Sequence, residues 1–133
     1  LSAGSKTEPG GYSKPQQATG QFVVSDERSL DEIISALANK GFLPSFCTSC
    51  YRSLRTGESF MALSKTGHIH EFCDINGLLT FYEYLIDFAS PETKEAGMLL
   101  IEKLKPELLS AEQIQKFDAF VKKFKAGDRD LYV

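Results

Sequence analysis

Asp74-Ile75-Asn76-Gly77-Leu78-Leu79-Thr80-Phe81-Tyr82-Glu83-Tyr84-Leu85-Ile86-Asp87-Phe88-Ala89 is the stretch that decides how the chain folds. Leu78, Leu79, Tyr82, Leu85, Ile86 and Ala89 recur at helical intervals and form an apolar stripe wide enough to face a core. Asp74 or Asn76 is suited to cap the first turn, so the predicted helix runs from there to about Ala89. Ser90-Pro91-Glu92 ends this helix and opens another, with Ser90 as N-cap and Pro91 at the first position, where a missing amide costs nothing. Met98, Leu99, Ile101 and Leu104 supply the expected buried side of that second helix, and Pro106 its end. Ser110 and Gln113 make a capping box for a last helix, whose apolar face is Ile114, Phe117, Phe120, Val121 and Phe124.

Upstream, Ser29-Leu30-Asp31-Glu32 is another capping box, and it opens a helix over about 30–40. Leu30, Ile33, Ile34, Leu37 and Ala38 give its apolar positions, and Gly41 sits where a left-handed residue closes a helix. Thr56 and Gly57 open a short helix carrying Phe60, Met61 and Leu63, which Gly67 stops. From Thr7 to Thr19 glycine, proline, serine and glutamine crowd into a loop or linker, and Phe22-Val23-Val24 is a brief strand-like run. Five helices with almost no strand make a mainly α domain.

With 133 residues and 42% apolar content, the chain can bury one core and carry one arm. A net charge of -3 with scattered cations creates no field that draws nucleic acid or an anionic membrane. No apolar run approaches the roughly 20 residues of a membrane span, and no secretory leader opens the chain. The expected setting is therefore soluble and cytoplasmic, without nucleic-acid or membrane partners. Leu1 in place of methionine, and Ser2-Ala3-Gly4-Ser5 reading like a strand that runs into a turn, suggest a piece of a longer protein.

Three cysteines are an odd number for a disulfide framework in a chain without a secretory signal. Cys47 and Cys50 form a C-x2-C pair, and 22 residues separate Cys50 from Cys73. Two intervening residues let a turn or first helical turn aim both sulfurs at one place, while Cys73 arrives from the far end of an intervening hairpin. Three thiolates can hold a cubane cluster and leave one iron open for a small molecule or a second metal. Zinc is the main rival, with His68 or His70 completing a Cys3His site in a zinc-stabilised helical interaction domain. Buried or redox-active thiols form a third reading, and spacing alone does not choose among them.

Combined with its surroundings, the pattern resembles the carboxy-terminal part of the HydG family of FeFe-hydrogenase maturases, which are radical S-adenosylmethionine tyrosine lyases. C-x2-C-x22-C is that family's signature. Leu1-Ser2-Ala3-Gly4-Ser5-Lys6-Thr7 with Gly10-Gly11-Tyr12 looks like a last barrel strand and its exit loop, and Arg129-Asp130-Leu131-Tyr132 like the family's tail. The sister family ThiH shares the strand and loop but lacks the three cysteines. The resemblance implies residues 1–28 as last barrel strand, exit loop and linker, and residues 29–133 as a helical cluster-binding domain. It implies Cys47, Cys50 and Cys73 as ligands of an auxiliary 4Fe-4S cluster with an additional iron at its open corner. In such an enzyme tyrosine becomes p-cresol plus the carbon monoxide and cyanide ligands of the hydrogenase site. Ser2 and Ser5 fall where barrel residues meet substrate, so they are candidates for the tyrosine carboxylate. The implied partners are the radical enzyme's barrel, its S-adenosylmethionine and second 4Fe-4S cluster, and other hydrogenase maturation proteins. The C-x3-C-x2-C motif that holds the second cluster is absent from this chain, so the chain alone is not expected to cleave tyrosine.

The remaining candidates read structurally. His68 and His70 are expected in a surface loop, and Glu83 with Asp87 on a solvated helix face. Lys122, Lys123 and Lys125 complement a helix end, and Phe117, Phe120 and Phe124 belong to the core.

Overall fold

The structure, a computed structural model, describes residues 28–133. The proposed barrel strand and linker, with Ser2 and Ser5, lie outside the described residues. Those described form six helices and no strand: α1 (Leu30–Asn39), α2 (Ser49–Arg52), α3 (Gly57–Thr66), α4 (His70–Asp87), α5 (Pro91–Leu108) and α6 (Ala111–Ala126). The domain is mainly α, as its apolar periodicity predicts.

Helix α4 is the centre. Ile75, Leu78, Leu79, Phe81, Tyr82 and Leu85 are all buried along it, because α5 covers one side and α6 another. Helix α1 packs on α5 and adds Ile34 and Ala38 to the same core. Tyr82 meets Phe117 edge-on at 6.3 Å and Phe124 at 5.7 Å, which seats α6 through aromatic contacts. The contact between α4 and α5 depends on a missing side chain: a Cβ on Gly97 would lie 2.5 and 2.6 Å from the two methyls of Leu85 and 3.0 Å from Phe81. Both neighbours are fully buried and have nowhere to retreat.

Gly97 also sets which residues of α5 face inward. Leu100 and Ile101, three and four positions on, share its face and are buried, whereas Leu99 points outward and is exposed. The expectation that Leu99 is buried is thus corrected by one position. Pro106 does not end α5, which continues to Leu108. Its ring is exposed near the last turn, where the carbonyl it leaves without an amide can turn to water.

A larger correction concerns the start of α4. It opens at His70, not at Asp74 or Asn76, so Cys73 lies inside its first turn with its amide bonded to Ile69 O at 2.9 Å. Helix α3 does end at Gly67, in the left-handed region at φ 79°. It buries no residue, and Phe60 and Met61 remain exposed.

Asp31 ties three helices together. Its carboxylate accepts from Ser90 Oγ at 2.6 Å, Thr93 Oγ1 at 2.8 Å, Ser90 N at 3.2 Å and Tyr84 Oη at 3.2 Å. Partial burial opposes ionisation, but these donors outweigh it and hold the carboxyl below its ordinary value. Tyr84 is pushed up to about 12, first by burial and then by the Asp31 charge.

Two outcomes follow from this packing. Gly97→Ala, which helix propensity alone would favour by about 1 kcal/mol, is expected to lose about 1–2 kcal/mol net in urea unfolding, because overpacking dominates. A gain in stability would mean that α4 and α5 are not this close. Asp31→Ala is expected to cost about 2 kcal/mol at pH 7. The carboxyl's value is lower folded than unfolded, so its contribution is complete above the ordinary value of 3.8 and fades as pH falls through the depressed one. The gap between wild type and variant should close below that pH, and a constant gap from neutral to strongly acidic pH would contradict the assignment.

Candidate metal centre

The segment from Leu43 to Cys50 runs against one face of α4, and each contact has a local cause. Leu43 and Ser45 pack on Gly77, where no side chain intervenes. Phe46 donates its amide to Thr80 Oγ1 at 3.3 Å and stacks on Tyr84 with ring centroids 5.1 Å apart. Cys47 is thereby delivered to the start of α4, and α2 begins two residues later.

Cys47, Cys50 and Cys73 line one cavity of about 520 Å³ together with Ser45, Thr48, Tyr51, Arg55, Thr56 and Phe60. Among the described residues no histidine, aspartate or glutamate lines it. The Cys73 thiol is pushed up by partial burial and then by its nearness to Cys50 and Cys47, while Arg55 acts in the opposite sense. Among the described residues no three Cys, His, Asp or Glu side chains converge on one point as ligands of a single ion. The three thiols are free and line the same cavity. The thiol donors among the described residues are soft, the kind that zinc and iron-sulfur centres both take. His68 and His70 turn elsewhere, with Nδ1 of the first 2.8 Å from Glu71 and Nδ1 of the second 3.6 Å from Asp74.

Around the cysteines lies a polar framework that the sequence reading does not contain. Asn76 is fully buried, and its amide donates to Ser49 Oγ and to the backbone oxygen of Val133, both at 3.0 Å, while its Oδ1 accepts from Val133 N at 2.9 Å. Ser49 Oγ also accepts from Arg55 Nη2 at 3.3 Å. Two N–H donors occupy its lone pairs, so the hydroxyl proton is left for Cys47 Sγ, 3.2 Å away. Ser49 N approaches the same sulfur at 3.5 Å.

The chain's last residues close the framework. Arg129 grips Asp87 through Nε at 2.6 Å and Nη2 at 2.8 Å, and its Nη1 reaches Phe124 O at the end of α6. Asp130 donates its amide to Glu83 at 2.9 Å and pairs its carboxylate with Arg52 of α2. Arg52 also lies 4.6 Å over the Tyr132 ring. Glu83 and Asp87 are therefore not simply a solvated face: they hold the tail that reaches the cysteine site.

No protein-family model and no curated protein matches the chain. A solved structure does, the crystal structure of HydG, a maturase of the FeFe-hydrogenase, with a TM-score of 0.84 and 41% identity over 98% of the chain. The chain belongs to the HydG family. It spans 28% of the length of that HydG chain, and its helical architecture is that of the matched HydG segment. No described helix is long and apolar enough to cross a membrane.

Of the residues expected from sequence, the structure brings Cys47, Cys50 and Cys73 to one cavity and leaves His68 and His70 off it. Ser49, Arg55 and Asn76 were not anticipated as parts of the site. Asn76 carries a signal, since a polar residue beside Gly77 interrupts an otherwise apolar stripe, but a capping residue gives the same signal. Asn76→Ala removes three bonds at once and takes from the Val133 amide its partner, and an unmade bond costs about 1–3 kcal/mol. We expect a loss of about 3 kcal/mol in urea unfolding with faster exchange of the Val133 amide. A variant within about 0.5 kcal/mol of wild type would show that the framework is not coupled.

Proposed function

We propose that the chain is the auxiliary-cluster domain of a radical S-adenosylmethionine tyrosine lyase of FeFe-hydrogenase maturation. One observation carries the reading: three thiols, brought from the segment that leads into α2, from α2 itself and from the first turn of α4, line a single cavity to which the described residues contribute no His, Asp or Glu. The HydG match supports it by family. Cys47, Cys50 and Cys73 would hold a 4Fe-4S cluster at three corners. When bound, that cluster supplies an iron without a protein thiolate, able to carry the additional iron on which carbon monoxide and cyanide are gathered.

The rest is the work of this chain's residues. Asn76 fixes α2 against α4, so that the pair from one segment and the lone cysteine of the other present their sulfurs to one space. Ser49 gives two donors to Cys47 Sγ, the kind of hydrogen bonding that orients and tunes a thiolate ligand. Phe60 and Tyr51 form apolar wall on the cavity's rim. Tyrosine cleavage, S-adenosylmethionine and a second 4Fe-4S cluster would belong to the barrel of the longer protein. Ser2 and Ser5 would then meet the tyrosine carboxylate at that barrel's edge.

Anaerobic reconstitution with iron and sulfide is expected to give a brown protein with about four irons per chain, and Cys47→Ala, Cys50→Ala or Cys73→Ala to lose most of them. Replacing His68 and His70 together should leave iron uptake unchanged. Stoichiometric zinc without iron uptake, abolished by the double histidine change, would establish a zinc-stabilised interaction domain instead.

A further inference from the structure

We propose that Arg55 sets the reduction potential of the cluster held by Cys47, Cys50 and Cys73, as a hydrogen-bonding cation against its sulfurs. This rests on the cluster-binding reading above. The backbone puts Arg55 there by rule. Helix α2 ends with Arg55 N bonded to Cys50 O at 2.8 Å and Leu54 N to Tyr51 O at 3.3 Å, the paired bonds of a Schellman motif. Its left-handed position is filled by Leu54 at φ 55°, where glycine is usual, at a cost of about 1 kcal/mol. The motif thus returns the chain over the carbonyl of a cysteine and fixes the next side chain beside it.

The guanidinium is then held on three sides. It lies 4.4 Å over the ring of Phe72, the neighbour of Cys73. Its Nη2 divides between Ser49 Oγ at 3.3 Å and the Val133 backbone oxygen at 3.1 Å. Its Nε is buried and has no hydrogen-bond partner among the described residues. A buried N–H without a partner is costly unless an acceptor completes it, and among the described residues no carboxylate lines the cavity that Arg55 shares with the three thiols. Cluster sulfur, inorganic or cysteinyl, is the acceptor that the proposed occupant brings. Reduction adds one negative charge to the cluster, so a neighbouring cation favours the reduced form and raises the potential. The same residue reaches Cys47 indirectly, since Arg55 occupies a lone pair of Ser49 and frees its hydroxyl proton for that sulfur.

The test uses the full-length protein with its barrel-cluster cysteines changed to alanine, so that one cluster remains, and follows its potentiometric titration by electron paramagnetic resonance. Arg55→Gln is expected to retain its iron and, at the wild-type midpoint, to show a reduced-to-oxidised ratio about tenfold lower, the 59 mV of a one-electron couple. Arg55→Lys keeps the charge and should lower the ratio only about threefold. An unchanged ratio in Arg55→Gln, even with lowered thermal stability, overturns the proposal by leaving Arg55 a purely structural tie. Should Arg55→Gln fail to hold iron, Arg55→Lys decides: a lowered ratio supports the proposal and an unchanged one overturns it. Absence of iron from the protein with Arg55 intact would instead defeat the cluster reading itself.

Discussion

The buried carboxamide of Asn76 is the point on which the cysteine site hangs. One side chain on α4 bonds Ser49 of α2 and both backbone groups of Val133. Those three bonds join segments 27 and 57 residues away. Individually such a bond is worth about 1 kcal/mol net, but the three share one side chain and a common partner in Arg55, so they form as a coupled network. The cysteine-bearing helix has only four residues and cannot be stable by itself. Its geometry is borrowed from α4.

That arrangement explains why α4 is apolar on some sides and polar on another. From Ile75 to Leu85 it is buried by α5 and α6, and Gly97 lets α5 come close enough to fill the space against Leu85 and Phe81. Toward its start, Cys73, Asn76 and Thr80 face the segment from Leu43 to Ser49, where backbone groups need partners more than apolar surface. The tail meets the helix's other polar positions, Glu83 and Asp87. A single rigid helix therefore serves as core on two sides and as a hydrogen-bonding rail on a third.

This division also accounts for what could be read in advance. Apolar periodicity located α1, α5, α6 and the buried half of α4, and capping boxes at Ser29 and Ser110 marked starts that the structure keeps. The opening of α4 was misplaced because Glu71, Cys73, Asp74 and Asn76 interrupt the apolar stripe, and polar residues before a stripe look like caps. Their polarity instead serves tertiary contacts, a purpose without a periodic signature. Cysteine spacing disclosed the three thiols, since Cys is rare enough for its positions to mean something. Ser49 and Arg55 are common residue types with distant partners, Asn76 lying 27 residues from Ser49 and Val133 78 residues from Arg55, and no local pattern announces such pairs.

The cost of assembling the site bears on how metal and protein depend on each other. Three thiolates gathered around one cluster repel each other and must lose chain freedom, and in small metal domains the metal offsets both, which is why those domains unfold without it. Here the order is partly established by α4, the tail and the Asn76 framework, all of which use bonds that involve no metal. The described structure therefore does not need the cluster to place Cys73, which is set in a helix, nor to place Ser49, which is bonded to the core. What the framework leaves least supported is α3, which buries nothing and joins the pair to Cys73. Removal of the proposed cluster is accordingly expected to loosen the segment between Leu54 and Gly67, read as faster amide exchange there, while α4, α5 and α6 keep their packing, a local and not a global response.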